Sequence, residues 1–69
     1  MSAVIRNKFG DGILCGSPAE AEAKLGKMLR DFRAKGLLVS EDKEDGKPLY
    51  RVSEEDGRPV GIFYIDDAG

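Results

Sequence analysis

Histidine and tryptophan are absent from this chain of 69 residues, and cysteine occurs once, as Cys15. Without histidine no Ser-His or Cys-His pair can form, and those pairs are the usual way of activating a hydroxyl or thiol nucleophile. One cysteine cannot close an internal disulfide, and a solitary thiol suits a reducing compartment better than secretion. The same two shortages leave too few ligands for a structural zinc site. No apolar run approaches the ~20 residues that span a bilayer. The start, Met1-Ser2-Ala3-Val4-Ile5-Arg6, is not a signal peptide. The sequence thus predicts a cytoplasmic protein with no membrane association, no metal and no other cofactor.

The length predicts a single small domain over 1–69. A chain of this size buries only roughly 60% of its unfolded surface, so stability is marginal without help. With disulfides and metals excluded, self-association is the remaining helper. Charged residues make up 35% of the chain, but they alternate with a 41% hydrophobic set, which argues for a folded chain. Net charge is −2, and the signs are segregated. Residues 1–36 carry seven bases against four acids, and residues 37–69 carry four bases against nine acids. Such polarity suits two ends that prefer different partners, or simply a solvated helix face and acidic turns.

The most informative pattern present is a near-repeat. Val39-Ser40-Glu41 leads to Glu44-Asp45-Gly46-Lys47-Pro48-Leu49, and Val52-Ser53-Glu54 leads to Glu55-Asp56-Gly57-Arg58-Pro59-Val60. Asp-Gly between β-rich segments is a strong hairpin signal, because a type I′ turn needs positive φ at both central residues. Two in a row predict a three-stranded antiparallel meander over roughly 37–43, 48–54 and 60–66. With a two-residue loop at each Asp-Gly, Tyr50 faces Glu41 and Phe63, and Val52 faces Val39 and Gly61. One face then collects Leu37, Val39, Tyr50, Val52, Phe63 and Ile65. The other collects Leu38, Leu49, Val60, Ile62 and Tyr64, mixed with Ser40, Asp42, Arg51 and Ser53.

Upstream, Ser17-Pro18-Ala19-Glu20 predicts a helix start with a capping box: the serine oxygen accepts from Glu20 N–H, and the Glu20 carboxylate reaches back to Ser17 N–H. Ala21, Leu25, Met28, Leu29 and Phe32 form one apolar stripe. Acids lie in the first turn and bases in the last, and Gly36 is the natural stop. Gly26, costing about 1 kcal/mol relative to alanine mid-helix, reads as a close approach of helix to sheet. Residues 3–9 read as a strand and Gly10-Asp11-Gly12 as a turn. Ile13-Leu14-Cys15 reads as a short return strand, with an irregular loop as the alternative. The predicted fold class is α+β, one helix on an antiparallel sheet in the order ββαβββ.

Sites of chemistry are scarce. Cys15 reads as a small buried hydrophobe, although it stands near a helix start, a setting in which reactive thiols occur. Glu41, Asp42, Glu44, Asp45, Glu54, Glu55 and Asp56 cluster at turn ends without calcium-loop spacing. Neither GxGxxG nor GxxxxGK[ST] fits Gly10-Asp11-Gly12 and Gly16. No enzyme is predicted and no catalytic residue is assigned. Five apolar residues on the second sheet face exceed what solvent tolerates, and contiguous patches of that kind mark binding surfaces. The expected function is a non-enzymatic protein–protein interaction module or small regulator, meeting another protein or its own copy as a homodimer. Its contact would be Leu38, Leu49, Val60, Ile62 and Tyr64, with acidic Glu54, Glu55 and Asp56 steering a basic partner. Either an N-terminal hairpin folded over that face or a bulge that swaps the faces would remove the site.

The alternative is nucleic-acid binding through Lys27, Arg30 and Arg33 on the outer helix face, with Lys24 nearby. The stretch from Leu29 to Val52, through Gly36-Leu37 into Lys47-Pro48-Leu49-Tyr50, resembles the end of a winged-helix domain, where a helix leads into a β wing. That resemblance covers about a third of the chain and implies DNA or RNA as partner. Residues 3–15 depart from it, being β-like where two helices should stand, and the wing is acidic, which phosphate would repel. In compactness and acidity the chain also resembles the small inhibitors of phages and mobile elements, some of which imitate nucleic acid with carboxylates.

Overall fold

The computed structural model describes residues 1–67. The chain runs β1 (Ala3–Asn7), β2 (Gly12–Cys15), α1 (Pro18–Ala34), β3 (Leu38–Glu44), β4 (Lys47–Ser53) and β5 (Pro59–Asp67). The strands form one antiparallel sheet in the order β2-β1-β5-β4-β3. This is the α+β, ββαβββ architecture with a C-terminal meander that the sequence predicts. The N-terminal hairpin adds to the sheet edge to edge, β1 beside β5, and does not fold over a face.

The helix starts and stops as its punctuation dictates. Ser17 Oγ accepts from Glu20 N–H at 3.1 Å. The other half of the expected capping box is displaced: the Glu20 carboxylate takes Gly16 N–H at 2.6 Å, one residue earlier than Ser17. Glycine permits this, since a Cβ at position 16 would lie 2.9 Å from Glu20 Oε2. At the far end Gly36 has φ +88°. Gly36 N–H reaches Arg33 C=O and Leu37 N–H reaches Phe32 C=O, each at 3.0 Å, which is a Schellman stop. Ser17→Ala removes the side-chain acceptor of Glu20 N–H and should cost about 1 kcal/mol in urea unfolding.

The helix stripe packs on one sheet face. Ala3, Ile5, Cys15, Ala21, Leu25, Leu29, Val52 and Phe63 form the buried cluster, flanked by Ile13, Met28, Phe32, Leu37, Val39, Tyr50 and Ile65. Every member of the first predicted meander face is therefore in the core or against it, and Phe63 stacks on Phe32 with ring centroids 5.5 Å apart. Gly26 does not mark a close approach: a Cβ there would meet nothing within 4 Å. It lies instead on a cleft of about 370 Å³ between α1 and the sheet, with Leu25, Leu29, Pro48, Tyr50 and Ile65 among its walls. The cleft lies where β4 and β5 are no longer paired, beyond Tyr50↔Phe63, with Lys47 and Pro48 on one side and Ile65 on the other.

The two Asp-Gly turns differ, although their sequences nearly repeat. Asp45 (φ +53°) and Gly46 (φ +79°) make the expected two-residue type I′ loop, closed by Glu44↔Lys47. At the second turn only Gly57 has positive φ, and Glu54 N–H donates to Arg58 C=O, so Glu55-Asp56-Gly57 form a three-residue loop. Alternation of main-chain bonds explains the difference. Closure of the first loop at Lys47 commits the odd residues of β4 to β3, which leaves its even residues to bond β5. A loop closed at Glu55 would ask an odd residue to serve both neighbours; closure at Glu54 does not. A bulge next to Val52/Ser53 then restores the register, Ser53↔Pro59 giving way to Val52↔Gly61. The extra residue is Val60, which packs against the core and not on the second face.

Candidate functional site

All of α1 lies on one side of the sheet, and among the described residues no element covers the other side. The ladder fixes what that open face displays. Leu14 stands opposite Val4, and Val4 opposite Asp66. Tyr64 stands opposite Arg6, Ile62 opposite Arg51, Leu49 opposite Asp42 and Leu38 opposite Ser53. Four apolar side chains, Val4, Tyr64, Ile62 and Leu49, thus each stand opposite a charged one, while Val4 and Leu14 form an apolar pair.

Three ion pairs lace this face diagonally. Arg6 Nε lies 3.2 Å from Asp66 Oδ2, and Arg51 Nη2 lies 3.5 Å from Asp42 Oδ2. Lys8, on the β1–β2 turn, reaches Glu44 at the end of β3. All are substantially solvent-exposed, so each contributes no more than ~1 kcal/mol to stability. One of the three also borders a sunken apolar residue. Leu49 is only 4% exposed with no element above it, and it shares a hollow with Tyr64, Pro48 and the Lys8–Glu44 pair. Long charged side chains lay their stems over apolar neighbours while their heads stay in water.

The five residues expected to form one patch are therefore divided. Ile62 and Tyr64 are half-buried at its centre, on β5, and Leu49 lies sunk beside Tyr64. Leu38 is 53% exposed but sits at a corner of the edge strand β3. Val60 has left for the core. Val4 and Leu14 join the face, with Arg6 and Asp66, and residue patterning did not reveal them. Alternation marks them as strand residues, but only the placement of β1 beside β5 brings them to this surface.

The acidic loop is largely self-engaged. Glu54 Oε2 lies 3.7 Å from Arg58 Nε, and Asp56 Oδ1 accepts Arg58 N–H at 3.0 Å. Glu55 projects free of both and is exposed. On the opposite side of the molecule Lys24, Lys27, Arg30, Arg33 and Lys35 are exposed, and among the described residues none forms an ion pair. The winged-helix resemblance ends at the topology: the described residues hold one helix, and its β3–β4 "wing" is part of a five-stranded sheet. No helix among the described residues is long and apolar enough to cross a membrane. Comparison with family models, curated proteins and solved structures finds no match to this chain.

Proposed function

We propose that this chain is a non-enzymatic protein-interaction module, a small regulator that docks a partner protein on the open face of its sheet. The observation that carries this is the asymmetry of the sheet: one face is consumed by α1, and the other keeps Ile62 and Tyr64 at its centre with nothing above them. A half-buried tyrosine ringed by Arg6, Arg51 and Asp66 has the make-up of an interface hot spot, an aromatic anchor within a polar rim. Glu55 and the neighbouring acids of the β4–β5 loop steer a basic partner toward that face.

The test is affinity capture from the source cytosol with wild-type chain and with Ile62→Ser/Tyr64→Ser. A specific partner should be retained by the first and lost by the second, with both showing the same circular dichroism. Equal retention refutes the open-face assignment. Glu55→Lys should slow capture and lessen its salt dependence without abolishing it.

The unpaired cations of α1 support nucleic-acid binding as the second reading. It requires salt-sensitive binding to labelled DNA or RNA that disappears in Arg30→Glu/Arg33→Glu. The protein-interaction reading expects neither that binding nor any effect of those substitutions on capture.

A further inference from the structure

The two edges of the sheet are guarded very differently. On β3 the free edge runs through Glu41, Asp42, Lys43 and Glu44, the charged kind of strand that resists pairing with another chain. The edge strand β2, Gly12-Ile13-Leu14-Cys15, carries no charge and no proline. Its outward main-chain groups follow from two bonds. Asn7 N–H donates to Asp11 C=O at 2.8 Å, and Lys8 N–H donates to Ile62 C=O at 2.9 Å. Odd residues of β1 therefore bond β2, and even ones bond β5. On β2 it follows that Asp11, Ile13 and Cys15 turn inward, while the N–H and C=O of Gly12 and Leu14 point away from the sheet. Just beyond, Gly16 N–H is already taken by Glu20, which ends the free edge.

Two of the four exposed large hydrophobics among the described residues lie at the same edge, Leu38 being on β3 and Met1 ahead of β1. Of the large hydrophobics left in water, Phe9 (54%) and Leu14 (72%) belong to the β1–β2 hairpin.

We propose that a second copy of this chain pairs with β2 across a two-fold axis, making one continuous antiparallel sheet. One register pairs both outward residues of each copy within the strand: Gly12 opposite the partner's Leu14, Leu14 opposite the partner's Gly12, and Ile13 facing its own counterpart at the axis. The side chains agree with it. Each Leu14 comes down on the open face where the partner's glycine leaves the surface bare. A Cβ at Gly12 would already be in ordinary contact with Val4, 3.6 Å from its Cγ2, so the leucine lands beside an apolar neighbour. Continued past the strand, the register carries Phe9 toward the start of the partner's α1. An isologous pairing of this kind closes on itself and consumes the unguarded edge. It leaves Ile62 and Tyr64 uncovered and doubles the surface they belong to, so it stands or falls separately from the docking of a partner protein there.

Sedimentation equilibrium tests it. Wild type should show twice the 7.5 kDa chain mass, Leu14→Lys the mass of one chain, and Ile62→Ser/Tyr64→Ser the dimer mass. Leu14 is exposed, so its replacement leaves the fold in place, to be checked by circular dichroism. Register is tested by oxidation in a Cys15→Ala background: Ile13→Cys should cross-link across the axis, and Leu14→Cys, displaced from its own counterpart, should not. A monomeric wild type overturns the proposal, as does a Leu14→Lys variant that remains dimeric. Loss of the dimer in Ile62→Ser/Tyr64→Ser alone would place self-association on the open face instead.

Discussion

Ile5→Ala should leave the protein largely unfolded in water at ordinary temperature. Ile5 is 1% exposed and one of the two largest fully buried side chains. It stands between Ile13 of β2 and Ile65 of β5, in the strand that joins the N-terminal hairpin to the meander. Truncating a buried isoleucine costs about 2–5 kcal/mol, the spread reflecting how far the cavity can collapse. Natural domains hold roughly 0.05–0.15 kcal/mol per residue, so a chain this short has only several kcal/mol in all. Urea unfolding followed by circular dichroism should show a large loss of midpoint, or no folded baseline. A shift under 1 kcal/mol would mean that β1 is not integral to the core.

Gly61→Ala should also be strongly destabilising, for the opposite reason. A Cβ there would lie 2.7 Å from Phe63 Cε2, 3.0 Å from its Cζ and 3.2 Å from Asn7 Nδ2. The Phe63 ring cannot swing freely, being buried against Phe32. Asn7 is held as well, its Oδ1 accepting Phe9 N–H at 3.0 Å and Ile62 N–H at 3.2 Å. Overpacking of this kind costs about 1–3 kcal/mol. A double-mutant cycle with Phe63→Leu should be strongly non-additive, because the smaller side chain removes the clash that alanine creates. Additive losses would locate the cost in the backbone at the bulge and not in the ring.

The fold was legible in this sequence wherever local chemistry and periodicity agree. Ser17, Gly36 and the stripe through Leu25 and Phe32 define the helix, and Asp45-Gly46 defines the first hairpin. The second turn shows how a correct register can come from an incorrect loop. A two-residue loop at Asp56-Gly57 and a three-residue loop followed by a bulge both bring Tyr50 to Phe63. Only the demand that each β4 residue bond one neighbour separates them, and Val60 changes face as a result.

The candidate site was legible in part. Ile62 and Tyr64 follow from alternation. Val4, Leu14, Arg6 and Asp66 depend on β1 inserting beside β5, a pairing of residues some sixty positions apart that no local pattern encodes. The burial of Leu49 was also beyond periodicity, because the residues around it, Tyr64 of β5, Lys8 and Glu44, come together only when the strands pair.

The central claim is a division of labour, with the helix side of the sheet making the fold and the open side meeting partners. Ile62→Ser/Tyr64→Ser tests it most directly, with urea unfolding and partner capture measured on the same preparation. The variant should unfold cooperatively with a loss of at most about 2 kcal/mol, as expected for half-buried side chains, and should retain no partner. A variant unfolded in water, as Ile5→Ala is expected to be, would show that these residues are core. A folded variant that still holds its partner would place the contact elsewhere.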